Sequence, residues 1–139
     1  MSDETPTAYV ADACAMLAYL KGETGGDVFL QAVNEPGVVV YAHGAQPAEV
    51  FYDFLRATTE ERTLAALSLL TDIGTKPRED MDADFWQDIG RLKAGPNPSL
   101  ADCFGIALAR RVDGTLLTTD HHELDATQAA GVCKVQFVR

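Results

Sequence analysis

The sequence lacks any apolar run approaching the roughly 20 residues needed to span a bilayer. Its opening Met-Ser-Asp-Glu also lacks the positive flank of a secretory signal. The expectation is a cytoplasmic protein with no membrane association. Cysteine is scarce: Cys14, Cys103 and Cys133 form no C-x-x-C pair, and an odd number does not suit a closed disulfide framework. They read as reduced, mostly buried thiols, so a thiolate metal ligand at Cys14 or Cys103 is set aside. Positive charge is short as well. With 11 Lys and Arg against 21 Asp and Glu the net charge is −10, which argues against binding along a phosphate backbone by clustered Lys and Arg. Any nucleic-acid contact has to be local. No repeat or low-complexity segment interrupts the chain. The Asp-x-Asp nucleophile of one class of phosphotransfer enzymes is absent too, because Asp12 is followed by Ala13 and Cys14.

What is present suits one soluble domain over residues 1–139, with 47% hydrophobic residues to build its core. Residues 1–6 read as a loose terminus and 7–11 as a first strand ending in Asp12. Helical stretches follow at 13–20 and about 27–33, separated by Gly22. Residues 38–42 carry three consecutive valines between Pro-Gly and Gly44, which predicts a strand buried on both faces and hence a parallel sheet. Pro47 fits the first turn of the next helix, which runs to about Ala57, carries Glu49 near its start and buries Val50, Phe51, Phe54 and Leu55. Thr58 and Glu61 match a capping box opening a helix through about Ile73, stopped by Gly74. Residues 76–80 read as polar connection. A helix from Asp82 carries Phe85, Ile89 and Leu92 on one face, with Trp86 at its edge, and 95–98 is a loop.

Ser99 and Asp102 form a second capping-box-like start, for a helix from about Leu100 that stops at Asp113-Gly114. A short strand, Thr115-Leu-Leu-Thr118, leads into Asp120. A helix over 122–130 capped by Gly131 and a strand over 133–138 complete the chain.

Four acids stand out by position: Asp12, Glu49, Asp102 and Asp120 all sit where strands hand over to helices. In a parallel sheet the first and penultimate strands are expected to be neighbours, which allows the four carboxylates to meet at one end of the sheet. Such a cluster calls for a divalent cation of the Mg²⁺ or Mn²⁺ type, because gathered carboxylates repel. Each acid also has a local use. Asp12 and Asp120 are placed to cap helices, and Glu49 and Asp102 to complement a helix dipole. The two readings are compatible. His121-His122 reads as an exposed helix start, His43 as a strand end, and Glu123 and Asp125 as solvated helix face. Asp53 is expected to pair with Arg56. Lys76, Arg78, Arg91, Lys93, Arg110 and Arg111 are candidate phosphate contacts, scattered enough to serve solubility alone. The Phe51, Phe54, Phe85 and Phe104 set reads as core.

The segments Tyr-Val-Ala-Asp12-Ala-Cys-Ala-Met-Leu-Ala-Tyr-Leu, Pro47-Ala-Glu49-Val, Ser99-Leu-Ala-Asp102 and Leu117-Thr118-Thr-Asp120 resemble the successive motifs of PIN-domain nucleases, with VapC-type toxins the nearest subgroup. The resemblance covers nearly the whole chain. It implies a three-layer α/β/α fold with a central parallel sheet, and Asp12, Glu49, Asp102 and Asp120 as ligands of one or two Mg²⁺ or Mn²⁺ ions. Thr118 is implied as an accompanying hydroxyl. The implied reaction is endonucleolytic hydrolysis of RNA by a metal-activated water. The implied partners are RNA, a second copy of the chain in a homodimer, and a small cognate antitoxin that wraps the toxin. One departure is Cys14, which stands where such toxins commonly carry Ser or Thr. An alternative from another class is a catalytically weak binding module that keeps this fold and acts through a partner protein.

Overall fold

The computed structural model describes residues 5–95 and 99–139. Residues 1–4 of the expected loose terminus and 96–98 of the expected loop lie outside the described residues. The elements run β1 (Thr7–Ala11), α1 (Ala13–Leu20), α2 (Gly26–Asn34), β2 (Val38–His43), α3 (Ala45–Ala57), α4 (Glu60–Asp72), β3 (Thr75–Arg78), α5 (Ala83–Ala94), α6 (Leu100–Arg111), β4 (Thr115–Thr118), α7 (His121–Ala129) and β5 (Lys134–Phe137). The strands form one five-stranded sheet in the order β3-β2-β1-β4-β5, with every pairing parallel. The first and penultimate strands are therefore neighbours, through Ala11 opposite Leu117.

Strand pleating divides the core between two layers. Ala11, Val40, Ala42 and Leu117 pack with Met16, Phe29, Val50 and Leu70 of α1 to α4. Val10 and Leu116, each one residue away along the same strands, pack with Phe85, Ile89, Ile106 and Leu124 of α5 to α7. Side chains alternate across a strand, so a strand that is apolar at successive positions feeds both faces. The result is a three-layer α/β/α architecture. Among the described residues no helix is long and apolar enough to cross a membrane.

Several expectations need correction. Residues 76–80 do not form a plain connection, because Thr75–Arg78 is an edge strand paired with β2. Lys76 and Pro77 disguise it, since an edge needs a ladder on one side only and tolerates charge and Pro there. The cap of α4 is Thr59, whose side chain accepts from Arg62 N–H at 3.2 Å, and not Thr58. Thr58 instead closes α3, its hydroxyl donating to Phe54 O at 2.8 Å. That helix begins at Ala45, earlier than Pro47 suggests, which leaves Glu49 beyond the first turn. Leu55 is 41% exposed rather than buried. Asp53 pairs with Lys21 at 2.6 Å, while the Arg56 guanidinium lies over the Tyr52 ring.

Close packing of α1 on α2 depends on one glycine. A Cβ at Gly26 would sit 2.6 Å from Ala18 O and 2.8 Å from Tyr19 Cα, both backbone atoms that cannot step aside. Gly26→Ala is expected to cost about 1 to 3 kcal/mol. A thermal melt checks this, and an unchanged transition would contradict this packing.

Candidate active site

Local helix chemistry places each acid. Asp12 follows β1 directly, its N–H donating to Leu117 O at 3.1 Å so that the β1–β4 ladder carries on into it. Its side chain then caps α1, accepting from Ala15 N–H at 2.9 Å. Asp120 follows β4 by two residues and caps α7 by accepting from Glu123 N–H at 3.1 Å. Its own N–H donates to Thr118 Oγ1 at 3.0 Å. Asp102 lies in the first turn of α6, where Ser99 Oγ accepts from its N–H at 3.2 Å. Glu49 comes from α3. The local, cap-like uses expected of Asp12, Asp102 and Asp120 are thus all present, and helix N-termini favour these side chains as anions.

Burial and mutual repulsion act against ionisation. Asp12 is 2% exposed. Desolvation, with the charges of Asp102 and Asp120 adding to it, lifts its carboxyl from 3.8 to about 7 against the opposing Thr118 hydroxyl and Ala15 N–H. Glu49 is raised by desolvation first, then by Asp102, Asp53 and Asp120. Asp102 is raised by desolvation and by Asp120 and Glu123, with Ser99 pulling the other way. Cys14 is pushed up to about 12 by desolvation and then by all four acids, so it is a neutral thiol among carboxylates. These couplings tie Asp12, Glu49, Asp102 and Asp120 into one electrostatic unit at the carboxyl end of β1 and β4.

Among the described residues no three His, Cys, Asp or Glu side chains are close enough together to hold a metal ion. The donor set nevertheless suits one. Asp12 Oδ2 is buried with no hydrogen-bond partner. A buried anionic oxygen without a partner is costly, and an oxygen-seeking divalent cation would satisfy it and offset the repulsion around it.

Other sequence candidates sit elsewhere or are engaged. Thr118 is fully buried beside Asp12. His43 ends β2 as expected, with Nδ1 accepting from Ala45 N–H at 3.3 Å, Nε2 on Asp80 O at 2.9 Å and its ring stacked on Phe85. His121 is exposed, its two nitrogens on Asp125 and on Arg139 O, and its ring stacked on Phe137. Of the candidate phosphate contacts, Arg78 and Arg111 share Asp80, Arg111 also holds Asp82, and Arg110 holds Asp88. These cations are largely answered within the chain. Phe85 is buried, and Phe51, Phe54 and Phe104 are half-buried.

Sequence reasoning missed Gln46. It is fully buried on α3, accepts from Ala13 N–H through Oε1 at 2.9 Å and donates from Nε2 to Ala101 O at 2.7 Å. Both partners lie far away in sequence, so no local pattern marks it.

The family model of the PIN domain matches residues 9–129 of this chain. No curated protein matches it by sequence. Among solved structures it is similar to VapBC2 from Rickettsia felis bound to a DNA fragment from their promoter, with a TM-score of 0.72 and 14% identity over 94% of this chain and 98% of that one. It is similar to VapBC-1 from nontypeable Haemophilus influenzae, with a TM-score of 0.70 and 16% identity over 95% and 98%. VapC20 of Mycobacterium tuberculosis, a sarcin–ricin loop cleaving toxin, matches with a TM-score of 0.66 and 18% identity over 88% and 95%. At such identities the likeness is one of fold.

Proposed function

The chain belongs to the PIN-domain family, and from that premise we propose that it is a metal-dependent endoribonuclease, the toxin of a toxin–antitoxin pair. The observation that carries the reading is the buried, unpartnered Asp12 Oδ2, with Asp102 and Asp120 each repelling both Asp12 and Glu49. Asp12, Glu49, Asp102 and Asp120 would hold one or two Mg²⁺ or Mn²⁺ ions, hard cations suited to carboxylate oxygens. The chemistry a divalent cation supplies in such a site is an attacking water active near neutral pH and relief of charge at phosphorus.

The chain's own residues do the rest. The Asp12 and Asp120 carboxylates are anchored by the helix-start N–H groups of Ala15 and Glu123, and the Asp102 backbone N–H by Ser99 Oγ, before any ligand arrives. Thr118 serves two of them, flanking Asp12 and accepting from the Asp120 N–H. Cys14, held as a neutral thiol, adds no further charge to the cluster. No side chain is required as a covalent nucleophile. With Arg78, Arg110 and Arg111 engaged by Asp80, Asp82 and Asp88, RNA contact is confined to the neighbourhood of the site rather than spread along a basic face.

The VapBC complexes support an antitoxin as the regulatory partner, and the sarcin–ricin loop cleaving toxin supports structured RNA as substrate. A homodimer working in the cytoplasm completes the proposal. Purified protein is expected to cut RNA with Mg²⁺ or Mn²⁺, stop on chelation with EDTA and recover when metal is returned. Metal-independent cleavage would overturn the reading. No cleavage of any RNA, with tight binding to an adjacent gene's product, would favour the non-catalytic binding module.

A further inference from the structure

We propose that Gln46 is a positioning residue for the acidic site, a buried amide clamp that sets the spacing between the segments carrying Asp12, Asp102 and Glu49. The inference rests on the metal-site reading above and adds a residue that touches neither metal nor RNA.

Gln46 is 1% exposed, and both ends of its amide are used across long sequence separations. Oε1 takes the N–H of Ala13, the residue after Asp12. Nε2 gives a hydrogen to the carbonyl of Ala101, the residue before Asp102. These two partners also fix the orientation of the amide, since an N–H requires the oxygen and a carbonyl requires the nitrogen. Glu49 lies three residues further along α3, on the same helical face as Gln46. One side chain thereby joins the starts of α1 and α6 to the helix that bears Glu49.

The chemistry of the position narrows its occupant. Holding an N–H and a carbonyl at once needs a donor and an acceptor in one side chain, which an amide has and which Leu, Met or Lys lacks. Glu would keep the acceptor but bring a fifth negative charge towards four acids that already repel. Asn is one methylene short of the span. Room is left on the α6 side by Gly105, where an added Cβ would come within 3.6 Å of Nε2 and 3.2 Å of Leu116 Cδ1. The neighbouring Pro47, with no N–H to satisfy, fits the first turn of α3.

Outer groups that orient metal ligands typically affect metal affinity or activity by about 10- to 100-fold. The test compares wild type with Gln46→Met, of similar length but without the two hydrogen bonds, at a temperature where both are folded by circular dichroism. Ile89→Ala, a core truncation on α5, serves as a control for lost stability alone. Mn²⁺ titration followed by electron paramagnetic resonance is expected to show Gln46→Met binding about 10- to 100-fold more weakly, with Ile89→Ala binding like wild type. kcat on RNA is expected to fall in parallel while KM stays unchanged, because Gln46 is buried away from substrate.

Gln46→Met binding Mn²⁺ within about two-fold of a binding wild type would overturn the clamp and leave the metal site standing. A wild type that binds no Mn²⁺ overturns both. A measurement on wild type alone covers the case in which the variant does not fold. Coupling between sites is reciprocal, so metal must tighten the clamp if the clamp favours metal. Mg²⁺ is expected to slow solvent exchange of the Gln46 side-chain amide and the Ala13 N–H in nuclear magnetic resonance, and unchanged exchange in a Mg²⁺-bound sample contradicts the proposal.

Discussion

Asp12→Asn is expected to lower RNA cleavage by at least about 100-fold while raising the melting temperature of the metal-free protein at pH 8. The two effects share one cause. Burial and the nearby Asp102 and Asp120 lift the Asp12 carboxyl to about 7, so at pH 8 the folded chain carries a charge it disfavours. Asn keeps the N-cap acceptor for Ala15 N–H and removes that charge. A shift from 3.8 to about 7 corresponds to an order of 4 kcal/mol, or roughly 10 °C in melting temperature for a domain of this size. Asp102→Asn is expected to abolish cleavage likewise. Loss of activity together with gain of stability is the signature of a site strained for function. A destabilised Asp12→Asn protein would count against the electrostatic account, and full activity in both variants would sink the site assignment.

Metal-free wild type is expected to lose stability as pH rises from about 4 to 7. In that window the folded chain keeps on Asp12 a proton that the unfolded chain has released, so the unfolded state binds fewer protons and stability falls with pH. The stabilising contribution is complete below 3.8 and gone above about 7. Glu49 and Asp102, also raised, act in the same direction. Asp80 acts oppositely: Arg78 and Arg111 hold its carboxyl well below the usual range, so its contribution is present above pH 4 and lost in stronger acid. The difference between wild type and Asp12→Asn isolates the Asp12 part, and it is expected to shrink towards zero near pH 4. Mn²⁺ at 100 times its Kd adds about 2.7 kcal/mol. At a fixed Mn²⁺ concentration that gain is expected to be large at pH 8 and small at pH 5, where protons compete for the carboxylates. Calorimetric melts across this range with and without Mn²⁺ check both signs, and a metal effect that grows as pH falls would contradict them.

The sheet and most helices were legible because their signals are local. Three consecutive valines marked β2, Ser99 with Asp102 marked α6, and the apolar run after Asp113-Gly114 marked β4. β3 escaped because Lys76 and Pro77 are allowed at a sheet edge and look like loop. Pro47 signals a first turn without fixing where that turn begins, and α3 starts two residues before it, at Ala45. At the site, Asp12, Asp102 and Asp120 were visible as acids at helix starts. How strongly they act on one another depends on burial and on the closeness of strands β1 and β4, neither of which a single sequence encodes locally. Gln46 lay furthest from view, since its partners are 33 and 55 residues away.

The metal site is tested most directly by an anomalous difference map from crystals of the protein soaked in Mn²⁺. A metal held by these acids gives a peak about 2.0 to 2.3 Å from Asp12 Oδ2 with at least two of Glu49, Asp102 and Asp120 also coordinating, and the peak is lost in Asp12→Asn. A site empty at saturating Mn²⁺, in crystals of protein that cleaves RNA, would contradict it.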